Sequence, residues 1–196
     1  MRSPTVTNSA TGLVDSVFID ISRFKQTLRK GLGGLSYIGM IEPALYINIA
    51  PGTHWSGKRA VSWHVHAICW AKNREKRFAR LNKQGFYRSI MPGQRGAHQK
   101  EIPAKFLKGS NRTFFADKIR YMPKSPCKAY RIYHAKSPRN GGVISFRQIK
   151  SGLRPGDHID LFHLLKNPYL DQLAIGGGEG TSVLTRIKRA ARGPRR

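Results

Sequence analysis

The segment SWHVHAICW, residues 62–70, carries two histidines, His64 and His66, in a run that is otherwise apolar, aromatic or small. Residues two apart on a strand point to the same face, so an extended conformation would set the two imidazoles side by side. Such a pair is a ready set of metal ligands. A lone buried histidine is more often a hydrogen-bonded core residue, and it is the spacing that favours the metal. The upstream segment IGMIEPALY adds a third group, because its Glu42 is the only acid between Asp20 and Glu75. A carboxylate in so apolar a stretch is costly unless it is paired or metal-bound. If the two segments form a hairpin turning near His54, residues whose numbers sum to 108 face each other, with Glu42 opposite His66 and Ala44 opposite His64. Two histidines and one carboxylate leave coordination positions open, as at a catalytic metal and not a closed structural one. The competing arrangement is an ion pair between Glu42 and one of the chain's many arginines.

These side chains need strands to hold them, and the hydrophobic pattern supplies candidates. LSYIGMIEPALYINIA reads as a strand, with Pro43 placing it near an edge or a bulge, and RAVSWHVHAICWA as its hairpin partner. Before them, DSVFIDISRFKQTLRKGLGG has Val17, Ile21, Phe24 and Leu28 at helical spacing, Asp15 placed as an N-cap, and glycines that stop the helix. After them come a basic helix, KNREKRFARLNKQG, and a long loop over 86–111. A short helix over RTFFADKIRYMPK and a strand over CKAYRIYHA follow, then helical segments over GDHIDLFHLLKNPYLDQLAI. GGGEG reads as a turn into a basic tail helix with Arg186, Lys188, Arg189, Arg192, Arg195 and Arg196. The N-terminal residues 1–12 are polar, with at most a short strand at Thr5 to Thr7. The fold class expected is α+β, a central antiparallel sheet carrying the His-x-His strand with helices packed on its face. The expected division is a polar segment 1–12, a main domain 13–175, and a Gly-rich turn with a basic tail over 176–196.

Composition bounds the partners. The 196 residues include 36 Lys+Arg against 10 Asp+Glu, a formal net charge of +26, and 39% hydrophobic residues. A surplus of this size repels itself unless a polyanion shares the surface, so nucleic acid is the expected partner. The basic residues are spread along the chain and not gathered on one amphipathic helix, which argues against a membrane surface. Cys69 and Cys127 form no disulfide framework or CxxC site and are expected to be reduced. No signal-peptide core and no run of transmembrane length is present. A soluble, cytoplasmic protein is therefore expected.

Other His-x-His chemistries fit less well. The acid and further histidine that a metallo-β-lactamase-like site needs downstream are replaced here by Cys69 and Trp70, and the glutamate of a cupin-like site is missing. IGMIEPALY together with SWHVHAICW, over about residues 36–135, instead resembles the HUH endonuclease superfamily. These are the rolling-circle replication initiators of plasmids and phages, with relaxases and single-tyrosine transposases as relatives. The resemblance implies a ferredoxin-like core with metal ligands His64, His66 and Glu42, and Mg²⁺ or Mn²⁺ as the ion. Ligand softness alone would also admit Zn²⁺, Co²⁺ or Ni²⁺. It also implies a nucleophilic tyrosine on a downstream helix with a lysine one turn away, matched here by Tyr121 and Lys124. Lys118 is a substitute for that lysine, and Tyr130 and Tyr133 are rivals to Tyr121 whose alternation reads as strand. The family's threonine-rich first strand is represented only by PTVTNSA, so a compact or N-terminally trimmed relative is expected.

The implied activity is nicking and joining of single-stranded DNA, or of a DNA hairpin, through a 5′-phosphotyrosine. Phosphate contacts are expected from Lys72, Arg74, Lys76, Arg77 and Arg80 on the basic helix, from Lys118 and Arg120, from the loop and from the tail. Trp55, Phe86 and Tyr87, interleaved with basic residues, could stack on unpaired bases. The alternative is a non-catalytic basic nucleic-acid-binding protein in which His64, His66 and Tyr121 are core residues.

Overall fold

The structure is a computed structural model that describes residues 2–12, 20–51, 57–70, 74–83, 90–91, 96–102, 128–136, 144–165 and 170–191. The expected short helix that ends at Tyr121–Lys124 and the turn at His54 lie outside these residues, as do Trp55, Phe86 and Tyr87. Strand β1 (Arg2–Gly12) is followed by helix α1 (Ile21–Gly31), the hairpin β2 (Ser36–Ile47) and β3 (Ala60–Trp70), helix α2 (Arg74–Lys83) and β4 (Ala97–Glu101). A second hairpin, β5 (Lys128–Lys136) and β6 (Ile144–Gly152), leads to α3 (Pro155–Leu165), α4 (Leu170–Leu173), β7 (Ala174–Gly177) and α5 (Glu179–Ala191).

The class is α+β. The strands form one sheet in the order β4-β1-β3-β2-β5-β6, with β7 also paired to β2. The sheet is mixed where an antiparallel one was expected, because β2 and β5 run parallel over Leu45–Ala129 to Ile47–Arg131. The first six elements make a β-α-β-β-α-β unit whose four strands pair antiparallel throughout. Residues 2–12, expected to hold a three-residue strand at most, form a strand of 11 residues between β3 and β4. Three threonines give the segment its strand preference, and over Arg2–Val6 it has a pairing partner on both sides, β3 and β4.

Pro43 does not put β2 at an edge. On one side β2 pairs with β3 along almost its whole length, Pro43 opposite Trp63. On its other side β7 pairs with Tyr37–Met40 and β5 with Leu45–Ile47. Pro43, which has no amide to donate, falls in the gap between those two partners. The cap of α1 is Asp20, whose carboxylate accepts from the Arg23 amide at 2.9 Å. Asp15 is outside the described residues.

Alternation divides the sheet into two faces. Tyr37, Ile41, Leu45, Val61, Trp63 and Val65 point to one of them. There they form the main core with Phe24 and Leu28 of α1, Phe78 and Leu81 of α2, and Leu161 of α3. The other face carries Glu42, His64 and His66. A smaller cluster that includes Ala60, Ile90, Met91 and Ile132 covers one end of it. α5 covers the other end, where Gly180 lies so close to β2 that a methyl group would run into the Tyr37 carbonyl. Along β3 the two histidines thus stand between Ala60 under the small cluster and Trp70 under α5.

Candidate metal centre

β3 presents His64 and His66 on one face, and β2 brings Glu42 beside them. The register differs from the expected one: Glu42 faces His64 and Met40 faces His66, so partner numbers sum to 106 and not 108. A shift of two in the sum preserves parity, so Glu42 stays on the histidines' face.

The three side chains converge on a small triangle. Glu42 Oε1 lies 2.8 Å from His64 Nε2 and 2.7 Å from His66 Nε2, and the two nitrogens are 3.2 Å apart. The imidazoles meet edge to face at an interplanar angle of 84°. Three acceptor-rich atoms this close repel one another unless a proton or a cation lies among them. Ligand atoms about 2.1 Å from one ion stand about 3.0 Å apart as octahedral neighbours and about 3.4 Å apart in a tetrahedron. The observed edges, 2.7 to 3.2 Å, are of the size that three ligands of one small divalent ion would have. His64 Nδ1 stands 3.3 Å from the Ser62 carbonyl. In the neutral ring, a proton on Nδ1 donated to that carbonyl would leave the Nε2 lone pair facing the centre, as a metal ligand requires. His64 is buried, while Glu42 and His66 remain partly open, so the triangle is reached from the face of the sheet.

Burial pushes the Glu42 carboxyl up, but hydrogen bonds and charge from His64 and His66 outweigh it and hold the group down at about 2, against an ordinary 4.5. A carboxylate depressed in the folded state stabilises the fold above its unfolded value, and that contribution is lost as pH falls from about 4.5 towards 2. Glu42→Gln is therefore expected to flatten the fall in the urea unfolding midpoint across that acid window. An unchanged acid limb would mean that the carboxylate is not held by the histidines.

The remaining expected residues divide. Tyr121, Lys124, Lys118, Arg120 and Lys72 lie outside the described residues. Arg74, Lys76, Arg77 and Arg80 lie on α2, which packs Phe78 and Leu81 against the core face, so this helix sits behind the sheet from the triad. Arg77 is bonded to backbone, its Nε donating to the Gly31 carbonyl at 3.1 Å and Nη2 to that of Lys30 at 3.3 Å, where a cation suits the C-terminus of α1. Tyr133 points to the face opposite Glu42, His64 and His66. Tyr130 shares their face and stacks on Tyr46 at 5.2 Å between ring centroids. It stands level with Tyr46, four residues from Glu42 and about 13 Å along the strand. Burial, and then the neighbouring Tyr130, push the Tyr46 phenol up to about 12, so it stays protonated at neutral pH.

Sequence reasoning missed the neighbour of the triad on its own face, the first turn of α5. Trp70 Nε1 donates to Glu179 Oε2 at 2.8 Å, and the Glu179 amide donates to Ser36 Oγ at 3.3 Å. The even-numbered series His64, His66, Trp70 was legible as one face, but nothing in the sequence showed that α5 would dock on it.

Among the described residues, Glu42, His64 and His66 are the one group of three or more such side chains arranged to hold a metal ion, and no helix is long and apolar enough to cross a membrane. Compared with known proteins, the chain matches no family model, no curated protein and no solved structure.

Proposed function

We propose that the protein is a metal-dependent enzyme that nicks and rejoins single-stranded DNA through a 5′-phosphotyrosine, as the resemblance to the HUH endonucleases implies. The observation that carries this reading is the convergence of Glu42 Oε1, His64 Nε2 and His66 Nε2 within 3.2 Å of one another on one face of the sheet. Three further features support it. The β-α-β-β-α-β unit with strand order β4-β1-β3-β2 is a split β-α-β arrangement, the ferredoxin-like order of the HUH core. The strand β1, with Thr5 and Thr7 in register with His66 and His64, stands where the family has its threonine-rich first strand. The charge of +26 suits a phosphodiester substrate.

The chain's own groups divide the work. Glu42, His64 and His66 would hold a Mg²⁺ or Mn²⁺ ion, which polarises phosphoryl oxygens and stabilises the charge that builds on them. The phenolic oxygen of Tyr121 attacks a backbone phosphorus. A tyrosine–phosphate bond forms, the bond to the 3′-oxygen breaks, and the leaving oxygen takes up a proton. Lys124 lowers the cost of ionising the phenol. Because a phosphodiester replaces a phosphodiester, the free 3′-hydroxyl can reverse the step or a new one can complete a strand transfer. Incubation with assorted single-stranded and hairpin oligonucleotides in Mn²⁺ is expected to give a protein–DNA adduct on a denaturing gel, lost in EDTA. Salt-sensitive DNA binding with no adduct on any of them would favour the non-catalytic reading.

A further inference from the structure

A strand bound at the triad needs a path over the face that carries it, and α2 lies behind the opposite face. α5 packs on the triad's own face. Its first turn is pinned by Trp70 and Ser36, both on the histidines' side of the sheet, and by the close approach of Gly180 to β2. Its direction follows from its far end. β7 runs antiparallel to β2, and Lys188 Nζ donates to the Asp171 carbonyl at 2.7 Å, so α5 returns beside β7 and α4. It therefore travels the way β2 does, from the level of Ser36 towards that of Glu42.

Helical spacing then places its cations. Arg186 is seven residues beyond Glu179, two turns along the same side of the helix and about 10 Å further up its axis. Glu179 reaches across to β3 at Trp70, so Arg186 stands on the side of α5 that faces β3. On β3, 10 Å back from Trp70 is about three residues, which arrives beside His66. Arg189 follows one turn later. Both arginines are exposed, and α5 has no acid after Glu179 to neutralise them.

We infer that α5 is the phosphate track of the site, with Arg186 and Arg189 holding the backbone of a single DNA strand as it crosses towards Glu42, His64 and His66. The inference rests on the proposed function for its choice of partner, but its test needs no chemistry. Binding of a fluorescent oligothymidine of about 20 nucleotides to the full chain, in EDTA, is measured by anisotropy over a salt series. Arg186→Gln with Arg189→Gln is expected to lower the slope of log affinity against log salt by about 1.4, near 0.7 for each lost phosphate contact on a single strand. Lys76→Gln with Arg80→Gln on α2 removes the same charge and is expected to move the slope by less than about 0.3. The inference is overturned if the α2 pair causes the equal or larger loss, if the α5 pair changes nothing, or if the unaltered protein shows no salt-dependent binding. The adduct assay on the same preparations separates the two ideas. A lowered slope without any adduct removes the phosphotyrosine chemistry and keeps the track, whereas an adduct with an unmoved slope removes the track alone.

Discussion

Replacement of both His64 and His66 by alanine is expected to cut Mn²⁺-dependent adduct formation by about a thousandfold or more. The estimate follows from what the ion supplies. Stabilising charge on a phosphoryl group in the transition state contributes several kcal/mol, and each 1.36 kcal/mol is tenfold in rate. With both imidazoles gone, Glu42 is left as a lone carboxylate, too little to hold the ion in place at working concentrations. The main core should survive, because its β3 contributions, Val61, Trp63, Val65, Ala67 and Cys69, point to the other face. The circular dichroism spectrum and the unfolding midpoint should thus change far less than the rate. Adduct formation at an undiminished rate in the double variant would remove the triad from the chemistry.

Tyr121→Phe is expected to abolish the adduct altogether while leaving Mn²⁺ binding and DNA affinity intact. The two effects separate because the phenolic oxygen is the atom that becomes bonded to phosphorus, whereas the ligands are supplied by β2 and β3. The two rivals are disfavoured by their own positions. Tyr133 points away from the triad's face, and Tyr130 stands level with Tyr46, about 13 Å along the strand from Glu42, with its ring stacked on Tyr46. An adduct that persists in Tyr121→Phe, and maps by peptide mass to another tyrosine, would contradict the assignment.

The convergence of the triad was legible in the sequence because it depends on strand period and parity alone. His64 and His66 share a face in any register, and Glu42 joins them in any hairpin whose partner numbers sum to an even value. The register itself was off by two, because hairpin register is set by turn geometry and the turn residues carry no periodic signal. β1 was underestimated for a different reason. RSPTVTNSATG has no apolar alternation, and what makes it a strand is pairing with β3 and β4, distant in sequence. The same holds for β7, four residues that pair with Tyr37–Met40, and for the parallel contact of β2 with β5. The basic charge of α2 was legible, but the sequence carried no sign of which side of the sheet the helix occupies. Phe78 and Leu81 commit that helix to the core face, so its exposed Lys76, Arg80 and Lys83 lie behind the sheet from the triad. For α5, the close packing of Gly180 under Tyr37 decides its face, and a glycine's absent side chain leaves no hydrophobic pattern to read.

The central claim is that Glu42, His64 and His66 form a metal site, and crystals grown with Mn²⁺ and measured at an energy where manganese scatters anomalously test it most directly. One strong anomalous peak is expected about 2.1–2.2 Å from Glu42 Oε1, His64 Nε2 and His66 Nε2, with oxygen ligands on its open side. The three side chains closed on one another with no peak among them, at millimolar Mn²⁺, would contradict the account.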